Sequence, residues 1–179
     1  MTRVNDNAEI ASRFAGIVNR FCSVVDSASG MERADLLLQI YRILPKLVDE
    51  AIGLPDIELS DYDEPIEGGG RVARRANVRQ SLQQWDQLYS LLKEKLGDWD
   101  RYSQVFDPTE DKEAIPGSLA DDIADIYGDL KEGLVRSETQ QAQPEDIIWS
   151  WRLLFYSHWG KHAIDALLAI HFRLQNAAS

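Results

Sequence analysis

The residues of this chain that could do chemistry are a set of histidines and aspartates. His158, His162 and Asp165 fall within IIWSWRLLFYSHWGKHAIDALLAIHF. At about 100° per residue, these polar groups share a helical stripe with Ile147, Trp151, Leu154, Phe155, Ala169 and Phe172. Ionisable groups at core positions are costly unless they are paired, hydrogen-bonded or bound to metal. A second segment, SLADDIADIYGDLKEGL, carries Asp121, Asp122, Asp125, Asp129 and Glu132. The spacing of Asp122, Asp125 and Asp129 is i, i+3, i+7, so three carboxylates stack along one helix. Aspartate is a poor residue for a helix interior.

These residues have three readings. The acidic stripe is a solvated helix face, with Asp121 and Asp122 complementing the dipole at the helix start. Or the aspartates and histidines form a buried polar network, closed by indole and phenol donors such as Trp149, Trp151, Trp159, Tyr127 and Tyr156. Or Asp122, Asp125 and Asp129 from one helix, with His158, His162 and Asp165 from the other, hold a divalent cation. Imidazole among the ligands favours Zn²⁺, Mn²⁺ or Fe²⁺ over Ca²⁺. The pattern lacks the glutamate of H-E-x-x-H and the Glu-x-x-His pair of di-iron bundles.

The elements that must position these groups are helical. Asp6 and Glu9 have capping-box spacing, and Ile10, Phe14, Ile17, Phe21 and Val25 form one apolar face. Ser29 and Glu32 make a second capping box, ahead of a face from Leu36 to Ala51. Pro45 interrupts that face without breaking its period, so a kink is expected rather than an end. Gly53 and Pro55 supply the stop. Residues 54–70 contain six acids, no base and three successive glycines, a loop composition. A further helix begins near Arg71 and carries Leu82, Trp85, Leu88, Tyr89, Leu92 and Leu96, with Gly97 as its cap. Asp98 opens a short helix with Trp99, Tyr102 and Phe106. An acidic linker covers 107–117.

Ser118 and Asp121 form a third capping box, and Leu119, Ile123, Ile126, Leu130 and Leu134 face the core. Pro144 suits the first turn of a last helix that runs to about Gln175. That helix has a second apolar face of Trp149, Leu153, Tyr156, Gly160, Ile164, Leu167, His171 and Leu174, which predicts burial on several sides and a central position. His171 reads as a hydrogen-bonded core histidine, and Gly160 as a point where another backbone approaches. The expected fold is all-α, an up-and-down bundle of about five long helices plus one short one, in a single domain spanning 1–179.

Net charge is −11, which repels nucleic-acid phosphate and anionic lipid and suits a divalent cation or a protein partner with a basic surface. No run approaches the roughly 18 apolar residues of a membrane span, and the start lacks a signal-peptide pattern. A cytoplasmic location is expected. The lone Cys22 excludes an intramolecular disulfide and a cysteine-based zinc site, and reads as a small core residue. Arg71, Arg74, Arg75 and Arg79 form a basic stripe that reads as a solvated face. Gly68-Gly69-Gly70 matches neither phosphate-loop nor dinucleotide patterns. No serine is placed beside a histidine as an activated nucleophile. No motif fixes an oligomeric state.

YRILPKLVDEAIGLP, LGDWDRYSQVFDP, SLADDIADIYGDLKEGL and WSWRLLFYSHWGKHAIDALLAIH occur in this order along the chain. Together they resemble a bacterial family of helical proteins, domain-of-unknown-function family 5063. The resemblance implies a helical domain and supplies no activity. The family's polar pattern matches Asp121, Asp122, Asp125 and Asp129 on one helix, and His158, Trp159, Gly160, His162, Asp165 and His171 on the other. The family usually carries arginine where this chain has Gly128 and Leu168. Both departures remove positive charge near the acidic stripe, which disfavours a bound phosphate and mildly favours a cation or a basic partner. Two functions follow: a non-enzymatic adaptor or regulator with an acidic face, and a divalent-metal-dependent hydrolase of a phosphorylated small molecule.

Overall fold

The computed structural model describes residues 2–57, 82–105, 107–110, 113–139 and 142–177. The helical start expected near Arg71, the arginine stripe, the glycine run and Phe106 lie outside them. Over these residues the chain folds as a helical bundle with one small antiparallel sheet. Its elements are α1 (Thr2–Asp26), α2 (Arg33–Ile52), α3 (Leu82–Leu96), β1 (Arg101–Gln104), β2 (Ile115–Ser118), α4 (Leu119–Glu138), α5 (Pro144–Leu154), a π-helical turn (Phe155–Trp159) and α6 (Gly160–Ala177).

The apolar periods become the core. Phe14, Phe21, Leu36, Leu37, Ile40, Leu44, Leu47 and Leu92 are fully buried, and Leu119, Ile123, Ile126 and Leu130 face them from α4. Cys22 is buried with them, and burial pushes its thiol up to about 12, so it is inert packing. Helix α2 runs through Pro45 and ends at Gly53. The Ser29–Glu32 capping box does not form. Ser29 sits in a 3₁₀ turn, Ala28–Gly30, and Glu32 precedes α2 without a side-chain cap.

The segment expected as a short helix after Asp98 is instead a 3₁₀ turn, Gly97–Trp99, followed by β1. Gly97 has φ +54°, a left-handed value that glycine adopts without strain and that closes α3. Strand β1 pairs with β2 in the register Arg101↔Ser118 to Gln104↔Ile115, so the expected linker over 107–117 contains part of a strand. The cause is tertiary. Asp100, only 2% exposed, accepts hydrogen bonds from Ser118 Oγ at 2.8 Å and Ala120 N–H at 2.9 Å, and its own carbonyl accepts from Leu119 N–H. These bonds tie the end of β2 and the first turn of α4 to the start of β1. Ser118 also caps α4, accepting from Asp121 N–H at 3.3 Å, as its spacing predicts.

The last segment departs from one continuous helix. It packs against α1, α2 and α4, but the π-helical turn divides it and alters the phase of its faces. Its second apolar face is not enclosed: Leu153 is 39%, Tyr156 61% and Ile164 55% exposed. His171 lies at the surface and meets the Tyr41 hydroxyl at 3.0 Å; it is not a core histidine. Gly160 is buried, but the backbone that crowds it belongs to its own π-turn. A Cβ there would lie 2.3 Å from the Phe155 carbonyl oxygen, which accepts from Gly160 N–H. Helix α4 is enclosed by α1, α3, α5 and α6. No described helix is long and apolar enough to cross a membrane.

Candidate metal centre

The two polar stripes meet where α4 faces the π-turn and α6. Asp122, Asp125 and Asp129 project from successive turns of α4, and His158 and His162 come from the π-turn and the first turn of α6. The imidazole rings lie edge to face with centroids 4.9 Å apart. His158 Nδ1 bonds Asp129 Oδ2 at 2.7 Å, and His162 Nδ1 bonds Asp122 Oδ1 at 2.8 Å. A carboxylate can only accept, so each Nδ1 carries the proton and each Nε2 presents its lone pair in the neutral ring.

Both Nε2 atoms approach one carboxylate oxygen. Asp125 Oδ2 lies 3.6 Å from His162 Nε2 and 3.9 Å from His158 Nε2. These separations exceed a hydrogen bond, whose usual length is about 2.9 Å. Two ligands bound at about 2.0–2.1 Å to a tetrahedral ion stand roughly 3.4 Å apart. These two gaps exceed that spacing by half an ångström or less, and Asp125, His158 and His162 each offer one ligand atom, all within 4.8 Å of one another. Asp125 is itself oriented: the Trp85 indole N–H donates to its other oxygen, Oδ1, at 2.9 Å.

Asp122 is the buried member, 2% exposed. Its second oxygen, Oδ2, accepts from the Tyr102 hydroxyl at 2.6 Å. Burial raises its pKa, while the hydrogen bonds from His162 and Tyr102 hold it back. For His162, burial works downward, but the hydrogen bond to Asp122 and the charges of Asp122 and Asp125 prevail, and its pKa is raised. Both partners move up, so the pair keeps its proton to higher pH than either group alone. Asp121 is also raised, by desolvation and then by the charges of Asp125 and Asp122.

Of the six residues expected as ligands, the fold brings five together and gives them different tasks. Asp125, His158 and His162 converge, while Asp122 and Asp129 each hold the far side of one imidazole. Asp165 is turned to Lys161, one helical turn away, and forms an ion pair with it. Four of the five donors named from sequence are elsewhere. Trp151 and Trp159 donate to the backbone carbonyls of Leu130 and Trp151, Tyr127 donates to Asp26, and Tyr156 is exposed beneath Arg152. Among the described residues, the indole and phenol donors that reach the cluster are Trp85 and Tyr102. Neither is marked by local spacing, because each arrives on an element distant in sequence.

The family described as "Domain of unknown function (DUF5063)" matches residues 5–176, and the chain belongs to that family. It is similar to a solved structure, protein BF1032 from Bacteroides fragilis. The two share 22% identity over 88% of this chain and 87% of that one, with a TM-score of 0.66, a likeness of fold. No curated protein matches the chain.

Proposed function

We propose that this protein binds one divalent cation of the Zn²⁺, Mn²⁺ or Fe²⁺ class through Asp125, His158 and His162, in a site with open coordination positions. The observation that carries this is the convergence of two Nε2 atoms on one carboxylate oxygen while a second carboxylate meets each Nδ1. Carboxylate–histidine pairs of this kind orient the ring and raise its basicity in metal sites.

Three protein ligands leave room for water or substrate, as catalytic centres require, and the His158 side chain is 39% exposed, so the open side faces solvent. When bound, the cation would supply Lewis acidity and an activated water, which makes hydrolysis the reaction class we favour. Among the described residues, five carboxylates lie in or beside the cluster (Asp121, Asp122, Asp125, Asp129 and Asp165) with Lys161 paired to one of them. That balance argues for a neutral or cationic substrate over a phosphorylated one.

The decisive experiment is titration of Zn²⁺, Mn²⁺, and Fe²⁺ without oxygen, into metal-stripped protein and into His158→Ala. One equivalent bound by the wild type and lost in the variant supports the site. A wild type that binds none of the three removes it. A second reading, an adaptor for a partner with a basic surface, is favoured by the net charge of −11 and by exposed Tyr156, Ile164, Leu168 and Phe172. It does not draw on the convergence of Asp125, His158 and His162, and it becomes the better account if no cation binds.

A further inference from the structure

We infer that Tyr102 is a positioning residue of the metal centre, fixing His162 through Asp122, and that Gly117 is the residue that lets its ring reach there. The inference rests on the reading of Asp125, His158 and His162 as ligands. The contacts form a continuous chain. The Tyr102 hydroxyl donates to Asp122 Oδ2 at 2.6 Å, and Asp122 Oδ1 accepts from His162 Nδ1 at 2.8 Å. With both oxygens engaged and almost no solvent contact, the Asp122 carboxylate cannot rotate. It then dictates which nitrogen of His162 is protonated and where the Nε2 lone pair points.

The hairpin sets the position of the hydroxyl. Tyr102 lies opposite Gly117 across the two-stranded sheet. The phenol ring passes directly over that glycine: a Cβ on Gly117 would lie 2.5 Å from Tyr102 Cζ and 2.8 Å from each Cε. No side chain larger than hydrogen is compatible with this ring path. Strand β2 continues into α4 at Ser118, four residues before Asp122, and Asp100 clamps that junction. The phenol and the carboxylate it holds therefore belong to one corner, while His162 comes from α6, which packs against α4.

A residue that merely satisfied a buried carboxylate would affect stability and leave metal affinity alone. A positioning residue affects affinity. Outer partners of this kind are worth about 10–100-fold in metal affinity. The test is calorimetric titration of Zn²⁺ into the full chain for wild type, Tyr102→Phe and Gly117→Ala, with helical circular dichroism recorded on each metal-free protein. Tyr102→Phe keeps the ring and removes only the hydroxyl. The expected result is wild-type helicity and a Zn²⁺ dissociation constant raised about 10–100-fold. Gly117→Ala, which displaces the ring, should shift it in the same direction, and it carries the test if Tyr102→Phe does not fold. A Tyr102→Phe affinity within about threefold of wild type overturns the inference while leaving the metal site standing, as does an unchanged Gly117→Ala affinity if that variant alone folds. A wild type that binds no Zn²⁺, Mn²⁺ or Fe²⁺ removes the underlying site as well, so the two failures are distinct.

Discussion

Replacing His162 with alanine separates the two tasks assigned to this cluster. In metal-free protein the substitution removes one of two side-chain donors to Asp122, which is 2% exposed, and leaves the Tyr102 hydroxyl on the other oxygen. Orphaning part of a buried acceptor costs about 1–3 kcal/mol. For a domain of this length each kcal/mol moves the melting temperature by about 2–4 °C, so a drop of roughly 4–8 °C is expected for a mid-range loss of ~2 kcal/mol. A ligand of the folded state at about a thousand times its dissociation constant adds ~4 kcal/mol. On the same scale, saturating Zn²⁺ should raise the wild-type melting temperature by roughly 8–16 °C and His162→Ala by little. The assay is differential scanning calorimetry of both proteins, with and without Zn²⁺. A metal-free variant as stable as wild type would refute the buried network. An equal Zn²⁺ gain in both proteins would refute His162 as a ligand.

Two further outcomes test the surroundings. Gly160→Ala should lower the melting temperature, because the added methyl meets the Phe155 carbonyl at 2.3 Å and backbone cannot yield as a side-chain tip does. Overpacking at about 1–3 kcal/mol outweighs the ~1 kcal/mol by which alanine favours a helix; a stabilised variant would mean that the π-turn is dispensable. Stability and metal affinity should also respond oppositely to pH. The folded-state pKa of His162 is raised, so its contribution is present below its unfolded value of about 6.5 and is lost as pH rises through the folded one. The raised values of Asp122 and Asp121 act in the same sense from about pH 4 upward. Metal binding needs both imidazoles neutral and so strengthens with pH. Between about pH 6 and 8, the melting temperature of stripped protein should fall while the gain from Zn²⁺ grows; melting curves across that range would show it, and a flat metal-free profile would contradict the coupling of His162 to Asp122.

The helical class, the core faces of α1, α2 and α4, the Ser118 cap and the stacking of Asp122, Asp125 and Asp129 along one helix were all legible in the sequence, because each depends on spacing along one helix. Periodicity puts residues on a face whatever that face later meets. The same reasoning failed where a contact crosses the chain. Asp100 binds Ser118 and Ala120 across eighteen or more residues and turns an expected helix and linker into a hairpin. Four-residue strands alternate too briefly to be read. The assumed constant 100° per residue also missed the π-turn at Phe155–Trp159, and periodicity alone did not show that Leu153, Tyr156 and Ile164 are exposed.

The sequence by itself determined that carboxylates would stack on one helix and imidazoles on another, since local geometry along a helix is set by the backbone. Only the tertiary structure decided their tasks. Whether an aspartate grips a ring from behind, as Asp122 and Asp129 do, or faces the space between two rings, as Asp125 does, depends on the angle at which two helices meet. That angle is fixed by the summed packing of side chains distant in the chain, and no local pattern encodes it.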